Sequence, residues 1–380
     1  MTWKIALADI DLNQEEDEAV LSVLHSRWLT AGEVTRGFEE AFAEFVGAKH
    51  AIAVSNATVG LHLASLLVGL GPGDEVIVPS LTFVATVAAI LYVGAKPIFA
   101  DISSDADLTL SPENIAERIT DRTRAIIPMH YGGYACDMNA IMRLARKYDL
   151  AIIEDAAHAP GSMLEGRKLG TWGKVGVFSF FSNKNMATGE GGMLVTDDDE
   201  VAKRARLLSS HAMTSMTWDR HQGHAWSYDV VDLGYNYRLD EIRSAIGIVQ
   251  LAKLNQNNLK RRLLIDFYHR QLKEEVPSLG LPFYKHRGQS AGHLLPILLP
   301  TGQDRIKFMG KMKERGVQTS IHYPPVHLFS YYKKNIPYEP LPVTEDVAAR
   351  EVTLPLHPLL SEEQVRMVVS AVRMALSESG

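Results

Sequence analysis

The chain has a single cysteine, Cys136. That excludes an internal disulfide and a cysteine-rich metal site, and it suits a reducing cytoplasm. Basic runs are also missing. With 39 Lys and Arg against 45 Asp and Glu, the formal charge is −6, which argues against nucleic-acid binding. There is no phosphate-binding loop of Gly-Lys-Ser/Thr type. Uninterrupted apolar runs are absent too. Residues 51–73 and 76–95 carry no charge, but Ser55, Asn56, His62, Pro72, Pro79 and Thr82 break them. A buried strand followed by a buried helix fits those stretches better than a membrane span. The first 16 residues lack the apolar core of a signal peptide. No internal repeat or low-complexity segment stands out.

What is present is an alternation. At 380 residues, 46% hydrophobic and 22% charged, the chain can bury a sizeable core and make two domains. Residues 13–26 and 38–46 read as amphipathic helices. Short apolar strands follow at 51–54, 76–78, 97–100, 125–129, 151–153, 177–181 and 193–195. Helices fall between them at 58–70, 82–93 and 138–147, and another opens at Ser111-Pro112-Glu113, a capping serine before a first-turn proline. This pattern predicts a mostly parallel sheet covered on both faces, with ligands at the carboxyl ends of its strands. Helices at 241–251 and 251–276 then lead to a change of composition. Strands at 294–299 and 317–322, a helix at 305–315 and a last helix opened by the capping box Ser361 to Gln364 complete the chain. The expected class is α/β: a three-layer α/β/α large domain, residues 1–250, and a smaller α+β domain, residues 251–380.

The stretch 176–192 organises the rest. An apolar lead-in, residues 177–181, gives way to Asn183-Lys184-Asn185 and closes on Gly189, Gly191 and Gly192. The spacing suits a lysine on a tight turn at the floor of a cavity. A desolvated lysine is a nucleophile that can form a Schiff base with a carbonyl. A flexible surface loop is the alternative for this stretch alone. Asp155 ends the apolar run 151–153; it could pair with a buried cation or merely cap a turn. Ser55-Asn56-Ala57-Thr58 leads into a helix, where exposed N–H groups bind phosphate or are simply capped. Phe83 could cover a flat heterocycle or sit in the core. A lysine, a carboxylate, a phosphate cradle and an aromatic lid together are what pyridoxal phosphate (PLP) requires.

The order of motifs is more specific than any one of them. Val54-Ser55-Asn56-Ala57-Thr58, Pro79-Ser80-Leu81-Thr82-Phe83 and Glu154-Asp155-Ala156-Ala157-His158 come first. Phe178-Ser179-Phe180 before Lys184, Gly189-Glu190-Gly191-Gly192, Gly234-Tyr235-Asn236-Tyr237-Arg238 and His322-Tyr323-Pro324 follow. Through nearly its whole length the chain resembles the DegT/StrS family of sugar aminotransferases, PLP enzymes of fold type I. The resemblance implies that Lys184 holds the cofactor and shuttles protons, and that Asp155 keeps the pyridine nitrogen protonated. It implies that Phe83 stacks on the ring, and that Ser179 and the Ala57 and Thr58 amides hold the phosphate. His158, where many relatives have glutamine, would lie beside the ring hydroxyl. Asn236 would reach the phosphate of the other subunit of a homodimer with shared sites. Ala57 replaces a common glycine but keeps the backbone N–H. Relatives that dehydrate sugars replace the lysine with histidine, so Lys184 argues against that branch.

The activity the resemblance implies is transfer of an amino group from an amino acid, glutamate or glutamine, to a keto-sugar in nucleotide-linked form. A cyclitol or other small ketone is the alternative acceptor, and a non-catalytic regulatory protein the alternative class. His221 and His224, three apart and beside Gly223, do not make a metal triad; residues 213–224 read as a substrate or interface loop. His322 and His327 flank Pro324-Pro325, near the substrate by resemblance or in a plain structural turn.

Overall fold

A computed structural model describes residues 3–215, 218, 223 and 227–379. The main sheet has seven strands in the order β1 (His50–Val54), β9 (Gly192–Thr196), β8 (Val175–Ser179), β5 (Ala151–Asp155), β4 (Thr123–Ile126), β2 (Glu75–Pro79) and β3 (Lys96–Ala100). Only β9 runs against its neighbours. Every residue of β2, β8 and β9 is buried, as expected of strands with helices on both faces.

Strand alternation divides the core into two layers. Ile77, Ile126, Ile152 and Phe178 face Phe38 and Phe42 of α2 (Glu33–Val46), Ile141 of α6 (Met138–Tyr148), and Leu251 and Leu254 of α8 (Glu241–Glu275). Val76, Val78, Ile153 and Val177 face α3 (Ala57–Leu67), α4 (Val84–Tyr92) and α7 (Asp199–Ser209) through Leu61, Leu63, Val87, Ile90 and Leu208. This is the three-layer α/β/α arrangement expected of the large domain. The same alternation sends Glu154 and Asp155, adjacent at the end of β5, to opposite faces. Caps fix where the helices begin: Asn56 Oδ1 accepts from Val59 N at 3.1 Å and Asp137 Oδ1 from Ala140 N at 3.0 Å.

A second core lies under the antiparallel pair β10 (Leu295–Leu298) and β11 (Glu351–Leu354). Phe308 and Met312 of α9 (Arg305–Glu314), Val365 to Val372 of α12 (Glu362–Ser379), and Tyr268 and Leu272 of α8 fill it. Two expectations change. The two helices expected to meet at Leu251 are one helix of 35 residues, because no proline interrupts it. Residues 317–322 form no strand; Val317 and Ser320 make isolated bridges to Ile5 and Thr353. Val326, Tyr332, Ile336 and Leu341, far along the chain, pack into the core of the main sheet.

Among the described residues, no helix is long and apolar enough to cross a membrane, and no group of three His, Cys, Asp or Glu side chains could hold a metal. His221, His224 and most of the loop 213–224 lie outside the described residues.

Candidate active site

The carboxyl ends of β1, β2, β5 and β8 deliver the predicted residues. Asp155 is the last residue of β5 and is 4% exposed. Its Oδ2 accepts from Thr86 Oγ1 at 2.7 Å and its Oδ1 from the Ala157 amide at 3.1 Å. Burial raises its pKa; Thr86, the Ala157 amide and Lys184 act against that rise. A cation placed against the carboxylate would favour its charged form.

Lys184 sits on a turn directly after β8, closed by its own N–H donating to Phe181 O at 2.9 Å. The return path needs glycine twice. Gly189 has φ +82°, in the left-handed region. A Cβ on Gly192 would lie 2.7 Å from the Asn56 carbonyl carbon and 2.8 Å from Ala57 N. The lysine is half-buried, so its ammonium lacks a full hydration shell. Burial lowers its pKa to about 8, against the pull of Asp155. The turn is pinned from below. Asn185 Nδ2 donates to Asn258 Oδ1 on α8 and to Ala291 O, both at 2.8 Å, and its Oδ1 is 3.0 Å from His293 Nδ1.

His158 is buried, and burial, then Lys184 and His322, hold its pKa well below the usual range. The Gly132 amide donates to its Nδ1 at 3.2 Å. The ring proton is therefore on Nε2, 2.9 Å from Tyr323 Oη. The Tyr323 ring lies 6.0 Å from that of Phe83, and Phe83 is 55% exposed. Phe83 is thus not a core residue; its face is open beside the site.

The phosphate cradle is a helix start brought against a strand end. Ser179 pairs with Gly192, and Gly192 with Val54, so the end of β8 and the start of α3 are two strands apart. Ser179 Oγ accepts from Phe181 N at 3.4 Å. Asn56 caps the Val59 amide, while the Ala57 and Thr58 amides have no partner among the described residues. A PLP phosphate fits this donor set, its pyridine nitrogen fits Asp155, and its aldehyde fits an amine of lowered pKa.

Two predicted residues lie elsewhere. Asn236 is exposed, on an isolated bridge with Ser210, and its side chain makes no bond to the described residues. His327 is fully buried, with Nδ1 2.6 Å from Ser80 Oγ and Nε2 3.3 Å from Glu345 Oε1. That is a structural pin. His322, by contrast, lines a small cavity with Asn183 and His293, and burial followed by Lys184 lowers its pKa to about 4. Thr86, Tyr323 and His293 were not singled out from sequence. Thr82 and Thr86, four apart at a helix start with hydroxyls 2.7 Å from each other, were the available signal for Thr86.

Comparison with known proteins agrees with this geometry. Residues 10–373 match the DegT/DnrJ/EryC1/StrS aminotransferase family. The spore coat polysaccharide biosynthesis protein SpsC of Bacillus subtilis is 38% identical over 369 residues, 95% of this chain and 94% of that protein. The aminotransferase TlmJ from Streptoalloteichus hindustanus superposes with a TM-score of 0.91 at 36% identity, over 98% of this chain and 99% of that one. DesI, solved in the presence of its TDP-sugar product, does so at 0.88 and 30% identity, over 99% and 93%. Members of the matched family depend on PLP, and solved neighbours have been crystallised in PLP and pyridoxamine forms. With a family match spanning nearly its whole length and relatives aligned end to end, this chain belongs to the DegT/DnrJ/EryC1/StrS family of PLP-dependent sugar aminotransferases.

Proposed function

We propose that the chain moves an amino group from glutamate or glutamine to the keto group of a nucleotide-linked sugar. The observation that carries the reading is the Lys184 amine, with its pKa lowered to about 8, set near Asp155 and His158 at the strand ends. Support for the nucleotide comes from DesI, which was crystallised with its TDP-sugar product. Bound PLP supplies an electron sink for the substrate carbon.

The chain's own residues do the rest. Lys184 Nζ would hold the cofactor between turnovers and would then carry a proton between the substrate carbon and the cofactor. Asp155, oriented by Thr86, would stabilise a protonated pyridine nitrogen. His158, whose Nε2 faces Tyr323 Oη, would lie beside the ring oxygen. Phe83 would cover the ring, and Ser179 with the Ala57 and Thr58 amides would receive the phosphate. We further propose a homodimer in which Asn236 reaches the partner's phosphate; its exposed, unbonded side chain is what such a role requires.

The test is a pair of half-reactions followed by absorbance. Glutamate or glutamine should convert the cofactor to its amine form, and a nucleotide-linked keto-sugar should convert it back. Unlinked ketones and cyclitols should do so far more slowly. Equal rates with a free cyclitol would overturn the assignment of acceptor. Lys184→Ala should purify folded and fail to turn over; normal steady-state turnover by that variant would remove Lys184 from its role.

A further inference from the structure

Behind β5, on the face away from Asp155, a buried carboxylate and a buried imidazole form a closed unit. Glu154 and His130 are both 0% exposed. Glu154 Oε1 accepts from the Gly173 amide at 2.7 Å, and Oε2 accepts from the Gly170 amide at 2.8 Å. His130 Nε2 stands 3.0 Å from the same Oε2. On its other side, His130 Nδ1 accepts from the Cys136 amide at 3.3 Å, while the Cys136 thiol donates to Met129 O at 3.2 Å. An amide N–H aimed at Nδ1 leaves no room for a second ring proton. Burial opposes a charged ring, while Cys136 and Glu154 raise its pKa to about 10; an Nδ1 that accepts the Cys136 amide carries no proton, so in this geometry the ring proton is on Nε2, facing Glu154. The Glu154 side chain therefore faces three donors in a dry site, an arrangement that is expensive to disturb in part.

Two connections lead from this unit to the cofactor side. The His130 backbone N–H donates to Asp155 O at 3.1 Å. Two residues on, the Gly132 amide donates to His158 Nδ1 and so decides which nitrogen of that ring carries the proton. Both Asp155 and His158 thus depend on where residues 130–132 lie, and the His130 ring is what ties that segment to Glu154.

We infer that the Glu154–His130 pair is a positioning device for the cofactor site, setting the height of Asp155 and the tautomer of His158 through one buried hydrogen bond. It rests on the reading of Asp155 and His158 as cofactor contacts. Neither member of the pair touches the cofactor. Groups that orient a ligating side chain from behind commonly change affinity or activity about 10–100-fold when altered. The titratable side chains that act on the pair are Cys136, beside the His130 ring, and Asp155, on the other face of β5.

The test uses full-length holoenzyme. Glu154→Gln keeps shape but turns one acceptor into a donor, facing either an amide N–H or the His130 N–H. The expected result is a PLP dissociation constant raised about tenfold, and a shift of about one unit in the pH at which the bound-cofactor absorbance band interconverts. Turnover should fall while KM for the donor amino acid holds. His130→Gln, which keeps a donor close to Nε2, should restore most of the wild-type band and affinity. Glu75→Gln is the control. Glu75 is 2% exposed, takes Thr120 Oγ1 at 2.6 Å and Arg122 at 2.7 Å, and begins β2 at the opposite end of the sheet. It should lower thermal stability and leave both cofactor readouts unchanged. A Glu154→Gln enzyme that loses stability but keeps wild-type band and affinity would overturn the inference. Should Glu154→Gln fail to fold, His130→Leu is read by the same two measurements, with unchanged values again fatal. Failure of the wild-type protein to bind PLP would instead contradict the reading of the site itself.

Discussion

At the scale of residues, the two charges of the site are each pulled from their ordinary state by burial and partly restored by the other. For Lys184 the sign is favourable to chemistry. A lysine with an ordinary pKa of 10.5 is almost fully protonated at neutral pH, whereas one near 8 keeps a usable fraction of free amine. Capture of added PLP by the apoenzyme should therefore speed up as pH rises and level off above about 8; stopped-flow absorbance measures it, and a rise continuing unabated past pH 10 would contradict the lowered value. Asp155 depends on Thr86. A hydrogen bond to a charged group contributes about 1.5–3 kcal/mol to stability, so Thr86→Val should lower thermal stability by about that much and lower turnover as well, because the Asp155 carboxylate loses the group that orients it. Asp155→Asn should cost more, because an amide cannot stabilise a protonated pyridine nitrogen by charge.

At the scale of elements, close backbone approaches decide what can be replaced. Gly192 opens β9 against the Asn56–Ala57 peptide, and a methyl there must displace backbone rather than a side chain. Gly192→Ala should destabilise by about 1–3 kcal/mol and weaken PLP binding, because the displaced peptide carries the phosphate amides; a variant with wild-type PLP affinity would separate β9 from the cradle. The segment carrying Tyr323 is held from another side. Glu351, at the start of β11, accepts from His322 N at 2.7 Å and from Thr353 Oγ1 at 2.5 Å, and burial pushes its pKa up to about 8. Between its ordinary 4.5 and about 8 the folded state keeps a proton that the unfolded chain has released, so this group's contribution to stability falls as pH rises through that window. Glu351→Gln removes the titration, and melting curves should show it gaining on the wild type from pH 6 to pH 9. The parallel sheet and its covering helices were legible in the sequence because apolar runs, caps and glycine stops are local signals. Lys184, Asp155 and the α3 cradle were legible for the same reason, each lying at the junction of a strand and a turn. His293, Tyr323 and the Gly132 amide were not. They arrive from three separate loops, and no periodicity marks which side chain of a loop will face a distant strand. The continuity of α8 was missed because a composition change at Leu251 resembles a boundary and carries no breaker.

At the scale of the whole molecule, the site draws on both ends of the chain: Asp155 and Lys184 from the main sheet, His322 and Tyr323 from beyond α8. The proposed dimer adds a second copy. Lys184→Ala and Asn236→Asp homodimers should each be impaired. In a mixed dimer both lesions fall in one site and none in the other, so reassembling the two together should restore up to half of wild-type activity per mixed dimer. Mixed dimers that form, shown by two tags, without recovering activity would exclude Asn236 from a shared site. The central claim is that Lys184 carries the cofactor, and borohydride reduction followed by peptide mapping of the native protein tests it most directly. Reduction should abolish the visible absorbance and leave one pyridoxyl group on the peptide containing Lys184, with none left after prior conversion by the amino donor. A pyridoxyl group on any other lysine, or an active enzyme whose Lys184 peptide stays unlabelled, would contradict it.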